Sequence, residues 1–330
     1  MSKWTAAEIP PQNGRSAIVT GTGGLGYEDA LALARAGAEV IIAGRNPEKG
    51  AEAVARIRKE VPGARVQFEP LDLADLGSVV AFAARVKSKR DHLDLLINNA
   101  GVMTPPHRKA TADGFELQFG TNYLGHFALT CHLLPLLRKG RDPRVVNVSS
   151  LAARAGAVNF DDLQAERAYK PTAVYSQSKL ANLMFSFELQ RRSDAAGWGI
   201  ASIAAHPGIA RTELLPNGAG KFSVAGVVRR LFAIAFQPVA QGALPTLFAA
   251  TSPNAEPGGY YGPDRLNETR GYPSVARVPR AAKDMAAAAR LWDMSEKLAG
   301  VSFASSFHPG SAQPAPMRGS APASPALAVG

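Results

Sequence analysis

Over the first 205 residues, short apolar runs alternate with stretches of helical spacing, and this alternation restricts the possible fold more than any other feature. It predicts strands over Ser16–Thr20, Glu39–Ala43, Val66–Pro70, Leu93–Asn98, Arg144–Val148 and Ile200–Ala205. It predicts helices from a glycine turn to Arg35, over Glu48–Glu60, from Asp75 to near Lys89, within Phe115–Leu137 and over Val174–Arg192. A helix over Val239–Ala250, a short strand at Gly259–Tyr261 and a helix over Ala281–Leu298 complete the pattern. Strands apolar on both faces are parallel strands covered by helices. The reading is therefore α/β: one domain over 1–302, with a doubly wound parallel sheet of about seven strands flanked by helices. Right-handed crossovers place the loops after successive strands along one edge, and ligands bind at that edge.

Composition narrows the function classes. The single cysteine, Cys131, cannot form an internal disulfide, so stability must come from packing. No apolar run reaches the roughly 18 residues of a membrane span, and the first residues lack the apolar core of a signal peptide, so a soluble cytoplasmic protein is expected. The net charge of +10 is spread over groups such as Arg56, Arg58 and Lys59, or Lys87, Lys89 and Arg90, each near a helix end. Cations there favour the carbonyl end of the helix dipole, which reads as solvated surface and not as a nucleic-acid face. Segment 303–330 is rich in Pro, Ala, Ser and Gly; it cannot bury enough apolar area to offset its ordering entropy and is expected to be a flexible tail.

The first predicted strand runs into Thr20-Gly-Thr-Gly-Gly-Leu-Gly26 and a helix. Gly21, Gly24 and Gly26, with Leu25, make a turn that lets backbone approach a pyrophosphate, and the helix start adds unpaired N–H groups and positive potential. The second strand ends at Gly44, where a chain preferring NAD carries Asp or Glu for the ribose hydroxyls. Arg45 follows, and its guanidinium fork suits a 2′-phosphate, so NADP(H) is the expected cofactor.

Tyr175 and Lys179 stand at i and i+4 on one helix, so phenol and ammonium can point into one cleft. A free tyrosine titrates near about 10, and a nearby ammonium would lower that value. Ser149 and Ser150 end the preceding strand, where a hydroxyl can hold a substrate oxygen.

Together these segments resemble the short-chain dehydrogenase/reductase family, which has a Rossmann fold. The turn departs from the family's T-G-x-x-x-G-x-G: two residues separate Gly21 from Gly24 where the family has three. Either the loop tightens or the helix starts differently. The resemblance implies that the Asp72 side chain and the Leu73 amide meet the adenine; the alternative for Asp72 is to cap the next helix. Asn98-Asn99-Ala100-Gly101 matches the family's N-N-A-G segment, with Asn99, Ala100 and Gly101 stabilising the sheet and lining the adenine ribose. The resemblance selects Ser150 over Ser149 as the catalytic serine. It assigns Asn122 to a water relay toward Lys179, and Lys179 to the ribose. Pro207, Gly208, Ile209 and Thr212 match the segment that contacts carboxamide and phosphates. His126 reads as a packed or hydrogen-bonded helix residue, not a catalytic base.

The long interval from Ser150 to Tyr175, with Asn159-Phe-Asp-Asp-Leu163, is similar to the retinol dehydrogenase and protochlorophyllide reductase-like branch. The implied activity is carbonyl–alcohol interconversion on an apolar small molecule. A C=C or C=N reductase and a non-catalytic NADP(H)-binding sensor are the alternatives. Segment 207–237 is expected to cover the site, with Leu214, Leu215, Phe222, Val224, Val227, Leu231, Phe232 and Phe236 forming an apolar lid, core packing or a subunit interface. A homo-oligomer is compatible with this reading; no metal is implied.

Overall fold

A computed structural model describes residues 3–210 and 237–304. Strand β1 (Ser16–Thr20) leads into helix α1 (Gly24–Arg35), then β2 (Glu39–Gly44), α2 (Pro47–Glu60), β3 (Val66–Pro70), α3 (Leu76–Lys89) and β4 (Leu95–Asn98). A short helical turn α4 (Leu117–Phe119), a π-helical turn over Gly120–Leu124 and α5 (Gly125–Leu137) precede β5 (Arg144–Val148), α6 (Pro171–Ala196) and β6 (Ala201–Ala205). Helix α7 (Val239–Thr251), β7 (Tyr260–Arg265), β8 (Arg270–Val275) and α8 (Met285–Ala299) complete the described chain.

The sheet order is β3-β2-β1-β4-β5-β6-β7-β8, with β7 and β8 antiparallel and every other pair parallel. Chain order reverses between β1 and β4, so the loops after these strands diverge and open a crevice there. Strands β1, β4 and most of β5 and β6 are buried on both faces. Helices cover each side, which gives two apolar layers.

Local chemistry sets the helix ends. Asn46 caps α2, with Pro47 at its first position, and Asp75 caps α3 by accepting from the Ser78 amide at 3.2 Å. Gly197 ends α6 in the left-handed conformation.

Two expectations change. Strand β8 was not expected from sequence: it is a half-exposed edge holding Gly271 and Pro273, residues that suit only an edge. The expected tail begins one residue too early, because Phe303 is buried and packs on Trp292, Phe127 and Trp198. No described helix is long and apolar enough to cross a membrane.

Candidate active site

Two glycines with positive φ shape the shortened turn. Gly21 has φ +105° and Gly24 φ +53°, and α1 begins at Gly24 behind an extended Gly23 that has no side-chain cap. A Cβ on Gly26 would stand 2.6 Å from the Gly21 carbonyl oxygen, and one on Gly21 would stand 2.9 Å from Asn99 Nδ2. Only glycine permits this packing, and it leaves the first amides of α1 facing the crevice. Such a cradle suits a dinucleotide pyrophosphate. Leu25 is buried beside Gly242 of α7.

At the end of β2, a Cβ on Gly44 would lie 2.8 Å from Thr22 Cγ2, so any side chain there would have to displace Thr22. Arg45 is exposed and has no hydrogen bond or ion pair among the described residues. After β3, Asp72 Oδ1 accepts from the Ala74 amide at 2.9 Å, while the Asp72 amide donates to Ser78 Oγ at 3.0 Å. Asp72 therefore shapes a turn; the helix cap is Asp75. Leu73 is buried next to Gly125.

The N-N-A-G segment is tied to the glycine turn. The Asn99 and Ala100 amides donate to Thr20 Oγ1 at 2.9 and 3.0 Å, and Asn99 Nδ2 donates to the Thr20 carbonyl at 2.8 Å. Gly101 lies where a Cβ would be 3.0 Å from Asn122 Oδ1 and 3.7 Å from Lys179 Nζ, so two other predicted site residues converge on it. Asn122 is fully buried; its Oδ1 accepts from the Val102 amide at 2.7 Å, and its Nδ2 donates to the Val102 carbonyl and to Ser178 Oγ, each at 3.0 Å.

The two serines at the end of β5 separate cleanly. Ser149 is buried and donates to the Lys179 carbonyl at 2.8 Å, which leaves it inside the packing. Ser150 is half-buried, caps the turn Leu151–Ala155 and faces the Tyr175 hydroxyl closely enough to act on its pKa. Burial raises the Tyr175 pKa, and the Ser150 hydroxyl opposes that rise. The lowering expected from Lys179 is thus not produced by the protein groups alone. Lys179 is itself buried, its pKa is brought down to about 8 by desolvation, and its Nζ donates to the Val148 carbonyl at 3.0 Å.

Beyond β6, Gly208 adopts φ +65° and Ile209 is anchored by its amide to the Thr269 carbonyl at 2.8 Å. Pro207 accepts from Gln237 Nε2 at 2.6 Å. Thr212 and the lid residues 213–236 lie outside the described residues. Gln237, the last of the expected lid, is fully buried.

Sequence reading passed over one feature here. Glu268, in the β7–β8 turn, accepts from His206 Nε2 at 2.9 Å and pairs with Arg154 at 2.7 Å, tying the loop after β6 to the loop after Ser150. Nothing in a polar turn sequence signals such a contact; only the antiparallel hairpin brings Glu268 across the edge.

Comparison with known proteins agrees with this geometry. The short chain dehydrogenase family model matches residues 15–219. Mouse polyprenol dehydrogenase is 42% identical over 298 residues, covering 88% of this chain and 86% of its own. Mouse retinol dehydrogenase 12 is 39% identical over 301 residues, covering 91% of this chain and 90% of its own. A solved structure of an uncharacterised protein from Mycobacterium paratuberculosis superposes with a TM-score of 0.76 at 40% identity, over 92% of this chain and 99% of that one. The chain belongs to the short-chain dehydrogenases, oxidoreductases that work with a nicotinamide cofactor.

Proposed function

We propose that this protein is an NADP(H)-dependent oxidoreductase interconverting a carbonyl and an alcohol on an apolar small molecule. The observation that carries the reading is the Ser150–Tyr175 hydroxyl pair at the crevice edge, with Lys179 one helical turn away. The substrate class is supported by the relatives, whose names specify polyprenol and retinol, both long apolar alcohols. The cofactor choice is supported by the crowded Gly44 and the unpaired Arg45, which disfavour an acid and offer a cation to a 2′-phosphate.

When bound at the glycine turn, a nicotinamide would supply or accept the hydride. The residues handle the oxygen and its proton. The Ser150 and Tyr175 hydroxyls donate to the substrate oxygen and stabilise the charge that develops on it. The phenolic proton of Tyr175 moves to that oxygen in reduction and returns in oxidation. A protonated Lys179 stabilises the phenolate left behind. Asn122, clamped to Val102 and Ser178, supports the path by which the proton is replaced.

The test is NADPH oxidation by purified protein across apolar aldehydes and ketones, with NADH in parallel. Tyr175→Phe is expected to lower turnover by about 10²–10⁴-fold while dinucleotide binding persists. Undiminished turnover in that variant would overturn the assignment.

A further inference from the structure

His126 stands at i+4 from Asn122 on α5 and is fully buried. Its Nδ1 lies 2.9 Å from the Asn122 carbonyl oxygen, and its Nε2 lies 2.9 Å from Thr20 Oγ1. These two contacts close a ring. Thr20 accepts from the Asn99 and Ala100 amides; that strand end continues to Val102; Val102 exchanges two hydrogen bonds with the Asn122 side chain; the Asn122 backbone meets His126, and His126 returns to Thr20.

The direction of every bond in the ring follows from what each group can do. The two amides only donate and the Asn122 carbonyl only accepts. Nδ1 must therefore carry a proton. Burial lowers the His126 pKa to about 4, so the ring is neutral at working pH and Nε2 is an acceptor. The Thr20 hydroxyl then gives its single proton to Nε2. The Ile97 carbonyl, 3.3 Å from Thr20 Oγ1, is the longer alternative acceptor for that proton. An imidazolium would reverse this order and force the Thr20 proton toward Ile97.

We infer that His126 is a positioning residue that locks the glycine turn to Asn122, so that the cofactor cradle and the proton-relay asparagine hold one geometry. This rests on the dinucleotide reading of the turn given above. It assigns His126 no contact with substrate or cofactor. Thr20 immediately precedes Gly21, and Gly26 packs on Gly21, so a shift at Thr20 moves the cradle directly.

Two measurements test it. In the unaltered protein, ¹⁵N-histidine NMR is expected to show His126 as the neutral Nδ1–H form throughout pH 6–8, with Nε2 unprotonated; an Nε2–H form, or titration within that range, would overturn the ring. For the second measurement, NADPH binding is followed by fluorescence in His126→Leu, Thr20→Val and the double variant, each first checked by circular dichroism. Loss of two buried hydrogen bonds is expected to weaken binding roughly tenfold in His126→Leu. In the Thr20→Val background the same change is expected to add little, since the ring is already open. A folded His126→Leu protein with unchanged NADPH affinity, or fully additive effects, would refute the inference. If Leu at 126 does not fold, the NMR result decides alone. Failure of the unaltered protein to bind any dinucleotide would instead refute the cofactor reading, and the NMR measurement would still report on the ring.

Discussion

Asp29 offers a test of the physics that holds α1 in place. It lies in the middle of the helix that opens at the glycine turn, is fully buried, and neither carboxyl oxygen has a hydrogen-bond partner among the described residues. Desolvation raises its pKa well above the usual carboxylate range, and the neighbouring Glu28 charge adds to the rise. In the unfolded chain it titrates near about 3.9. Below that pH both states are protonated and the group contributes no pH dependence. Above it the unfolded chain releases the proton and the folded chain keeps it, so stability falls by about 1.4 kcal/mol per pH unit until the folded pKa is passed. Asp29→Asn has nearly the same shape and no proton to exchange. The variant is therefore expected to be more stable at neutral pH, with an advantage over the unaltered protein that grows by about 1.4 kcal/mol per unit from about pH 4 until the folded pKa is passed and is constant above it. Urea denaturation of both proteins at pH 5, 6 and 7, followed by tryptophan fluorescence, reads this difference, and the other titrating groups cancel in the comparison. A gap that does not change with pH would show that the carboxylate is charged in the folded protein and refute the reasoning.

Arg45→Asp is expected to weaken NADPH binding by about 10-fold to 100-fold, the worth of a charge-assisted pair, and to improve NADH use; improved NADPH use would contradict the 2′-phosphate role. The two serines should part in steady-state assays. Ser150→Ala is expected to reduce turnover by about 10²–10³-fold with little loss of stability. Ser149→Ala should retain turnover and lose about 0.5–1.5 kcal/mol in denaturation, because its buried hydrogen bond to the Lys179 carbonyl, a second bond beside the helical one, is lost. Phe303→Ala is expected to destabilise the fold by about 3–5 kcal/mol in the same denaturation assay; a neutral result would return Phe303 to the tail.

Much of the architecture was legible because its signals are local. Strands β1 and β5 fall where apolar runs place them, since strands covered on both faces are mostly apolar. Helix boundaries written in side-chain chemistry, such as Asp75 before α3, were legible for the same reason. Strand β8 was not, because an edge strand next to solvent needs neither apolar alternation nor freedom from Gly and Pro. Phe303 was read with the tail that follows it; its burial depends on a pocket built by Trp292, Phe127 and Trp198, which lie far away in sequence.

The site divides along the same line. Sequence by itself determined which residue types meet the crevice: a glycine turn after β1, a serine pair after β5, and Tyr175 with Lys179 one turn apart on α6. These are consequences of strand order and helical spacing, which short stretches of chain encode. Tertiary structure alone decided that Ser149 is taken up by the Lys179 carbonyl while Ser150 reaches Tyr175. It also decided that α1 starts through a left-handed Gly24, and that Glu268 joins the loops after β5 and β6. Burial set the charge states: it raises the Tyr175 pKa, lowers that of Lys179 and keeps His126 neutral. Desolvation and hydrogen-bond partnership depend on what lies across a few ångströms of folded space, and sequence spacing carries no measure of that.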